Sequence, residues 1–254
     1  MSASASPHPN PPPPLAGEGA ASEPSLGKAG GGQVGGIQRI WMLTLLVLFL
    51  LAAIVFTVWP EIDLAAARLF FRDGRWIASD HPGVEGFRRL AAVLVFGVPA
   101  AAAALALLGW LVGRRGSERA ALVLVLSLAI GPGLIVNAGL KEFWGRARPS
   151  QVVEFGKERV FTPALLPADQ CRRNCSFASG EVAMGFGLVV LALLVRRRRL
   201  LALVPGLALG GIMAVARMAA GGHFLSDVIF AGLIAAATGL AVYVLVYRSQ
   251  AART

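Results

Sequence analysis

Long apolar blocks fill the chain from about residue 40 onward, and short polar stretches separate them. A helix needs about 20 apolar residues to cross the hydrocarbon core of a bilayer. Blocks that approach or reach this length lie at about 40–59, 90–112, 120–140, 181–195, 200–216 and 225–247. The pattern predicts an all-α, polytopic membrane protein with six transmembrane helices. The third block contains GPG, which predicts a bend, because glycine and proline interrupt helical hydrogen bonding.

The first 36 residues differ from the rest of the chain in composition. They are rich in proline, glycine, serine and alanine, and such a segment cannot bury a hydrophobic core. The segment lacks the charged stretch followed by an apolar stretch that is typical of a signal peptide. We expect a disordered cytoplasmic tail over residues 1–36 and a membrane domain over residues 37–250.

Basic residues indicate the orientation of the helices. The short stretches 113–119 and 196–199 and the basic C-terminus fall on one side of a six-helix arrangement. Lysine and arginine in short loops mark the cytoplasmic side, so both termini should be cytoplasmic and the longer loops periplasmic in a bacterial inner membrane. The net charge of +10 fits membrane anchoring and an anion site. Since no basic stripe with interleaved aromatic residues occurs, we expect no nucleic-acid partner.

Polar residues gather at three places on the predicted periplasmic side. They are Lys141, Arg146 and Arg148 after the third block, Ser179, Gly180 and Glu181 at the start of the fourth, and Arg217, His223 and Asp227 between the fifth and sixth. Charges near the ends of membrane helices need a reason. Three segments that meet at one face of a helical bundle can form a site between the helices.

The cations in these segments suit a phosphate group. The guanidinium forks of Arg148 and Arg217 match phosphate oxygens, and Lys141 adds a point charge. The start of the fourth block, near Ser179 and Gly180, would present helix N–H groups to an anion. The simpler alternative for any one of these basic side chains is that it extends to the lipid headgroups.

His223 and Asp227 are four residues apart, so they share a face of a helix. A carboxylate can accept the proton of one ring nitrogen and leave the other nitrogen basic. A histidine held in this way can act as a nucleophile, and with a phosphate cradle it predicts phosphoryl transfer through a phosphohistidine. The simpler alternatives are a core histidine and a helix-capping aspartate.

Both cysteines, Cys171 and Cys175, lie in the second long loop. If that loop is periplasmic, the compartment permits a disulfide between them, and the alternative is two unpaired thiols. Two cysteines without a nearby histidine do not predict a metal site.

The motifs resemble those of the type 2 phosphatidic acid phosphatase (PAP2) family of integral-membrane lipid phosphatases. KEFWGRARP fits the family pattern K-x6-R-P, and ARMAAGGHFLSD fits S-R-x5-H-x3-D, except that Ala216 replaces the usual serine. ASGE occupies the place of the family motif P-S-G-H, with Ala178 in place of the proline and Glu181 in place of the histidine. Among PAP2 proteins, the chain looks most similar to bacterial members grouped with lipid A phosphatases.

The resemblance implies a PAP2-type bundle that works without a metal or cofactor. It implies that Lys141, Arg148 and Arg217 bind phosphate together with Ser179 and Gly180. His223 would be the nucleophile and Asp227 the residue that orients it. The expected partners are a lipid phosphate in the bilayer and the surrounding membrane lipids. Besides a lipid A-like phosphate, undecaprenyl diphosphate, phosphatidylglycerol phosphate and phosphatidic acid are candidate substrates, and a non-catalytic lipid-binding or transport protein is the alternative from another class.

Glu181 stands where the family has the histidine that protonates the leaving oxygen. In one account, Glu181 is a general acid, helped by the charge of a bound phosphate dianion. In a second, it stays ionised and pairs with Arg217 or Arg148. In a third, the site is weakened and the protein is a poor enzyme. His81 is another imidazole that could serve the leaving group.

Overall fold

The computed structural model describes residues 29–79, 82–111, 118–195 and 197–251. Most of the expected tail (residues 1–28), His81, the basic residues 113–117 and Arg196 lie outside the described residues. The first helix begins at Ala29, inside the segment expected to be a disordered tail. The chain divides into two units at Ile37, and the second unit, Gln38–Thr254, contains every expected site residue.

The described chain is mostly helical. The α-helices are α1 (Ala29–Val58), α2 (Glu61–Arg68), α3 (Pro82–Leu111), α4 (Glu118–Leu128), α5 (Lys141–Phe143), α6 (Gly180–Gly187), α7 (Leu191–Leu194), α8 (Arg199–Ala219) and α9 (Leu225–Ala251). A π-helix, Ala129–Leu140, joins α4 to α5, and 3-10 turns occupy Pro149–Gln151, Val153–Phe155 and Leu188–Val190. Strands β1 (Phe71–Arg72) and β2 (Arg75–Trp76) form a small antiparallel hairpin.

Four helical segments of the described chain are long and apolar enough to cross a membrane. They are Gln38–Val58, Glu118–Phe143, Arg199–Ala219 and Leu225–Tyr247. The fourth expected span corresponds to the shorter apolar segment Gly180–Leu194, and the second overlaps the 30-residue α3. The chain is therefore a mostly helical membrane protein, and the arrangement with six spans stays a prediction.

The helix geometry changes where the sequence predicted a bend. Pro132 has no N–H and its ring crowds the preceding turn, so regular α-helical bonding cannot continue there. The chain adopts the wider π-helix around it. The side-chain amide of Asn137 donates to the carbonyl of Pro132 at 2.8 Å. This π-helix leads directly to Lys141, the first of the expected phosphate-binding residues.

Helix α6 lies against both α8 and α9, and the main core cluster forms there. The ring of Phe177, just before α6, packs between Trp144 and Phe230, at centroid distances of 4.9 and 5.7 Å. Burying such rings contributes more than their area alone, because aromatic pairs also attract through their ring quadrupoles. The core therefore fixes the start of α6, where three of the expected site residues lie.

The long loop between α5 and α6 is an ordered part of the fold. Backbone hydrogen bonds run from the N–H of Cys175 to the carbonyl of Lys141 at 2.8 Å and from the N–H of Ser176 to that of Arg146 at 2.9 Å. A disulfide joins Cys171 and Cys175, whose Cα atoms are 5.6 Å apart, within the usual range. In this structure the two cysteines are therefore paired with each other and are not free thiols.

Candidate active site

His223 lies in the turn between α8 and α9 and is only 1% exposed. Its Nδ1 is 2.8 Å from the backbone carbonyl oxygen of Ser176. A carbonyl can only accept a hydrogen bond, so Nδ1 carries the proton and donates it. The other ring nitrogen, Nε2, therefore keeps its lone pair, which is the form that a nucleophilic histidine requires.

Asp227 does not hold the imidazole in the way that the motif suggested. Its Oδ2 is 3.9 Å from Nδ1 of His223, beyond hydrogen-bond distance. The carboxylate instead accepts hydrogen bonds from the hydroxyl of Ser176, from the backbone N–H of Phe224 at 2.8 Å and from Arg146 at 2.6 Å. Asp227 occupies the third position of α9, from which a carboxylate reaches back to the N-cap N–H. It thus fixes the backbone on both sides of the ring, and the carbonyl of Ser176 orients the ring directly.

Lys141, Arg148 and Arg217 all act electrostatically on His223. Arg217 lies in the last turn of α8, and its guanidinium lies against Gly222, where an added Cβ would come within 2.6 Å of Nη2. The N–H of Gly222 donates to the carbonyl of Arg217 at 2.8 Å. A side chain at this position would therefore displace the guanidinium of Arg217. The structure brings together the three cations that the motifs assigned to phosphate.

The environment of His223 favours its neutral form. Burial lowers the pKa of the imidazole well below its ordinary value. The positive charges of Arg217, Arg148 and Lys141 lower it further, and the hydrogen bond to Ser176 opposes them. The direction of the pKa shift thus favours an uncharged imidazole within the electrostatic field of three cations.

We expect the ring of His223 to stay neutral as the pH falls through ~6.5, the pKa of an unperturbed imidazole. The unfolded chain would take up a proton in that range and the folded chain would not, so folding stability should fall as the pH drops. Histidine ¹⁵N resonances of the purified protein, assigned with His223→Gln, measure the titration. Arg148→Gln removes one cation and should move the pKa of His223 back towards the ordinary value. Titration of wild-type His223 at or above ~6.5 would contradict this expectation.

The start of α6 supplies the remaining expected residues. Ser179 is the N-cap of α6, and its buried hydroxyl makes no hydrogen bond within the described part of the chain. Such a group costs about 1–3 kcal/mol to bury, which favours a ligand as its partner. A Cβ at Gly180 would lie 2.0 Å from the side-chain oxygen of Asn137, so a larger residue would displace that side chain. Glu181 forms an ion pair with Arg217, with Oε2 3.6 Å from Nε.

Sequence reasoning gave Arg146 no role and missed Asp63, Ser176 and Ser226. The structure places Arg146 at the centre of a buried network that links the other three residues and Asp227. The sequence contained one signal for Asp63, because this charged residue stands between the apolar residues Ile62 and Leu64. Among the described residues, no group of three histidine, cysteine or acidic side chains is placed to hold a metal ion.

Comparison with known proteins identifies the family. Residues 120–251, just over half of the chain, match the PAP2 superfamily. The chain belongs to the PAP2 superfamily. The matched residues of this PAP2 protein include every candidate phosphate-binding and catalytic residue described above. No solved structure matches the chain.

Three curated relatives carry the name lipid A 4'-phosphatase. The protein from Francisella tularensis subsp. novicida is 38% identical over 135 residues, 52% of this chain and 61% of that protein. The protein from Rhizobium etli is 47% identical over 103 residues, 40% of each chain. The protein from Rhizobium leguminosarum is 44% identical over 108 residues, 42% of this chain and 46% of that protein. The chain thus spans between two fifths and three fifths of the length of these relatives.

Proposed function

We propose that this PAP2 protein removes a phosphate from a lipid headgroup through a phosphohistidine at His223. The observation that carries the proposal is the environment of the His223 imidazole. Its Nδ1 donates a hydrogen bond to the carbonyl of Ser176, and burial and three cations lower its pKa and favour the neutral form. Lys141, Arg148 and Arg217 would neutralise the phosphate oxygens, and the hydroxyl of Ser179 would donate to one of them. The cations and the Ser179 hydroxyl would thus make the free site complementary to an anion.

The proposed reaction has two steps. The lone pair on Nε2 of His223 attacks phosphorus, the bond between phosphorus and the lipid oxygen breaks, and that oxygen takes a proton from Glu181. Water then attacks the phosphohistidine and gives a proton to Glu181, which releases phosphate and restores the imidazole. Glu181 thus serves as an acid and then as a base.

The ion pair between Glu181 and Arg217 supports a change in partners during the cycle. In the free protein, the two side chains face each other. A bound phosphate would replace Glu181 as the partner of Arg217, because a guanidinium binds phosphate oxygens in a bidentate fashion. Glu181 would then lie beside a dianion, whose charge favours the protonated carboxyl that a general acid needs.

An apolar groove supports a lipid as the substrate. The groove, about 880 Å³ in volume, lies between α1, α6, α8 and α9 and is lined almost entirely by apolar side chains. Its lining includes Met218, next to Arg217, and Leu225 and Val228, which flank Asp227. A phosphate in the site would therefore place lipid chains at the entrance of this groove. Given the names of the relatives, we propose a lipid A-like phosphate over undecaprenyl diphosphate, phosphatidylglycerol phosphate and phosphatidic acid.

We further propose six membrane spans in a PAP2-type bundle over residues 37–250, preceded by a cytoplasmic tail. The site would face the periplasm and both termini the cytoplasm. The basic short stretches between the spans support this orientation. A periplasmic position of the loop between α5 and α6 also agrees with its disulfide, since disulfides persist in that compartment.

Free phosphate released from the four lipid classes by the purified protein tests the function. We expect release from lipid A phosphate, and Ala236→Leu, which narrows the groove, should raise KM for long-chain substrates. The rise should be about fourfold for each methylene of the lipid that the narrowed groove leaves in water, at ~0.8 kcal/mol per methylene. The same variant should leave the KM of a short-chain lipid phosphate unchanged. Ala237→Leu is the matched control, because Ala237 is exposed on the same helix and does not line the groove.

Two outcomes would contradict the proposal. Release from none of the four classes would favour the non-catalytic lipid-binding or transport protein. An equal rise in KM for short-chain and long-chain substrates would show that the groove does not hold the lipid chains.

A further inference from the structure

A buried charge cluster lies beside His223. It is built from residues other than the proposed phosphate cradle, which consists of Lys141, Arg148, Arg217, Ser179 and Gly180. Its centre is Arg146, whose side chain is fully buried. The guanidinium donates to Asp227 at 2.6 Å, to Asp63 and to the carbonyl of Thr162 at 2.8 Å, and to the hydroxyl of Ser226 at 2.9 Å. Its plane also lies over the ring of Phe224, 4.4 Å from the centroid. Arg146 is therefore held in one orientation.

Asp63 reaches this cluster from a distant part of the chain. It lies in the first turn of α2, 163 residues before Ser226, and is fully buried. Its Oδ1 accepts the backbone N–H of Ser226 at 2.8 Å, and its Oδ2 accepts the hydroxyl of Ser226 and Nη2 of Arg146. One carboxylate thus fixes both Arg146 and the first turn of α9.

The cluster contains two carboxylates and one guanidinium out of contact with water. Removing three charges from water is costly, and well-packed apolar side chains of similar volume often stabilise a fold equally well. Burial lowers the pKa of Arg146, but the charges of Asp227 and Asp63 outweigh it and raise the pKa above its ordinary value. The guanidinium of Arg146 therefore keeps its charge, and stability alone does not explain the arrangement. What the charges provide is a defined geometry.

Three successive hydrogen bonds lead from Arg146 to the imidazole. Arg146 holds Asp227, and Asp227 accepts the hydroxyl of Ser176 and the N–H of Phe224. The carbonyl of Ser176 in turn accepts the Nδ1 proton of His223. Ser226, held by Asp63, lies next to Asp227 in the same helical turn. Each hydrogen bond that sets the direction of the ring therefore depends on a residue that Asp63 or Arg146 holds.

We propose that Asp63 is a positioning residue for the nucleophile, which acts through Arg146 and Ser226 to fix the turn that carries His223. The proposal rests on the proposed function, because it assigns Asp63 to the phosphoryl-transfer step. The carboxylate of Asp63 is held by Arg146 and Ser226, and neither of these residues belongs to the phosphate cradle. Loss of Asp63 should therefore slow formation of the phosphohistidine without weakening binding of the phosphate.

The test compares Asp63→Asn, Ser226→Ala and the double variant with the wild-type chain in the same detergent or vesicles. Single-turnover phosphohistidine formation, KM and the unfolding temperature are measured for each. We expect Asp63→Asn to lower the rate about 10–100-fold with KM within about twofold, since small misalignment of reacting groups costs this much. Ser226→Ala should lower the rate less. The double variant should lose less than the product of the two single losses, because the residues act through one link.

Glu61→Gln is the matched control. Glu61 is an acidic residue in the same first turn of α2 but is exposed, so its variant should retain the wild-type rate. If Asp63→Asn fails to fold, Ser226→Ala and Asp63→Glu carry the same comparison. A folded Asp63→Asn or Ser226→Ala with the wild-type rate would overturn the proposal. So would losses in rate and in phosphate binding by the same factor.

A second readout separates this proposal from the proposed function. The Nδ1 proton of His223, held against Ser176, should give a distinct ¹H–¹⁵N signal in the wild-type protein. In Asp63→Asn that signal should broaden or shift as the ring samples other orientations, whereas Glu61→Gln should leave it in place. An unchanged signal in Asp63→Asn overturns the positioning role even if the wild type releases no phosphate. A changed signal in a chain without phosphatase activity overturns only the proposed function.

Discussion

Replacing His223 with glutamine is expected to abolish the trapped phosphoenzyme and to lower phosphate release by at least about 10⁴-fold. Loss of a nucleophile has effects of this size, because the remaining groups can only bind and polarise the substrate. Glutamine can still donate a hydrogen bond to the carbonyl of Ser176, but its amide nitrogen has no basic lone pair to attack phosphorus. Quenched single turnovers with a ³²P-labelled lipid phosphate measure both quantities.

The chain offers a matched control for this substitution. His81→Gln removes the other imidazole considered for the site and should leave the trapped phosphoenzyme at its wild-type level. The trapped species should be labile to acid and stable to base, as a phosphoramidate bond is. Residual trapping in His223→Gln, or its loss in His81→Gln, would defeat the assignment of the nucleophile.

The sequence was sufficient for the parts of the fold that depend on hydropathy. The first, third, fifth and sixth predicted spans correspond to helices long and apolar enough to cross a membrane. The fourth begins where predicted but is interrupted at Leu188–Val190 by a 3-10 turn. Helix α2 was not predicted, since its eight residues are held in place by the long-range contacts of Asp63, and a sequence pattern does not contain such contacts.

The candidate site was predictable in its residue types but not in its hydrogen bonds. The motifs identified Lys141, Arg148, Arg217 and His223, and in the structure the imidazole lies within the electrostatic field of the three cations. The spacing of four residues suggested Asp227 as the direct partner of His223. The carbonyl of Ser176 holds that place because backbone hydrogen bonds from Cys175 and Ser176 fix the loop beside the ring. A backbone carbonyl has no residue type, so no motif could have indicated it.

Glu181→Gln is expected to slow phosphohistidine formation about 10²–10⁴-fold for an alkyl phosphate and only a few-fold for an aryl phosphate. A sugar or glycerol oxygen leaves poorly as an alkoxide and needs a proton, whereas a phenolate leaves without one. Glutamine keeps the size of the side chain but has no acidic proton to give. Single-turnover rates for matched alkyl and aryl lipid phosphates are measured. The loss of rate for the alkyl substrate relative to the aryl substrate tests whether Glu181 donates the proton. Glu181→Ala should behave as Glu181→Gln does.

Glu181→His should restore most of the alkyl phosphate rate, because an imidazolium can donate the same proton. Glu142→Gln is the control, since Glu142 is a carboxylate next to Lys141 that pairs with Arg173 at 3.1 Å and has no place in the proposed reaction. If alkyl and aryl phosphates slow by the same factor in Glu181→Gln, the role of Glu181 is the ion pair with Arg217 and not proton donation. If all three Glu181 variants keep the wild-type rates, the carboxylate takes no part in the step. The leaving oxygen must then obtain its proton from water or from a group elsewhere in the chain.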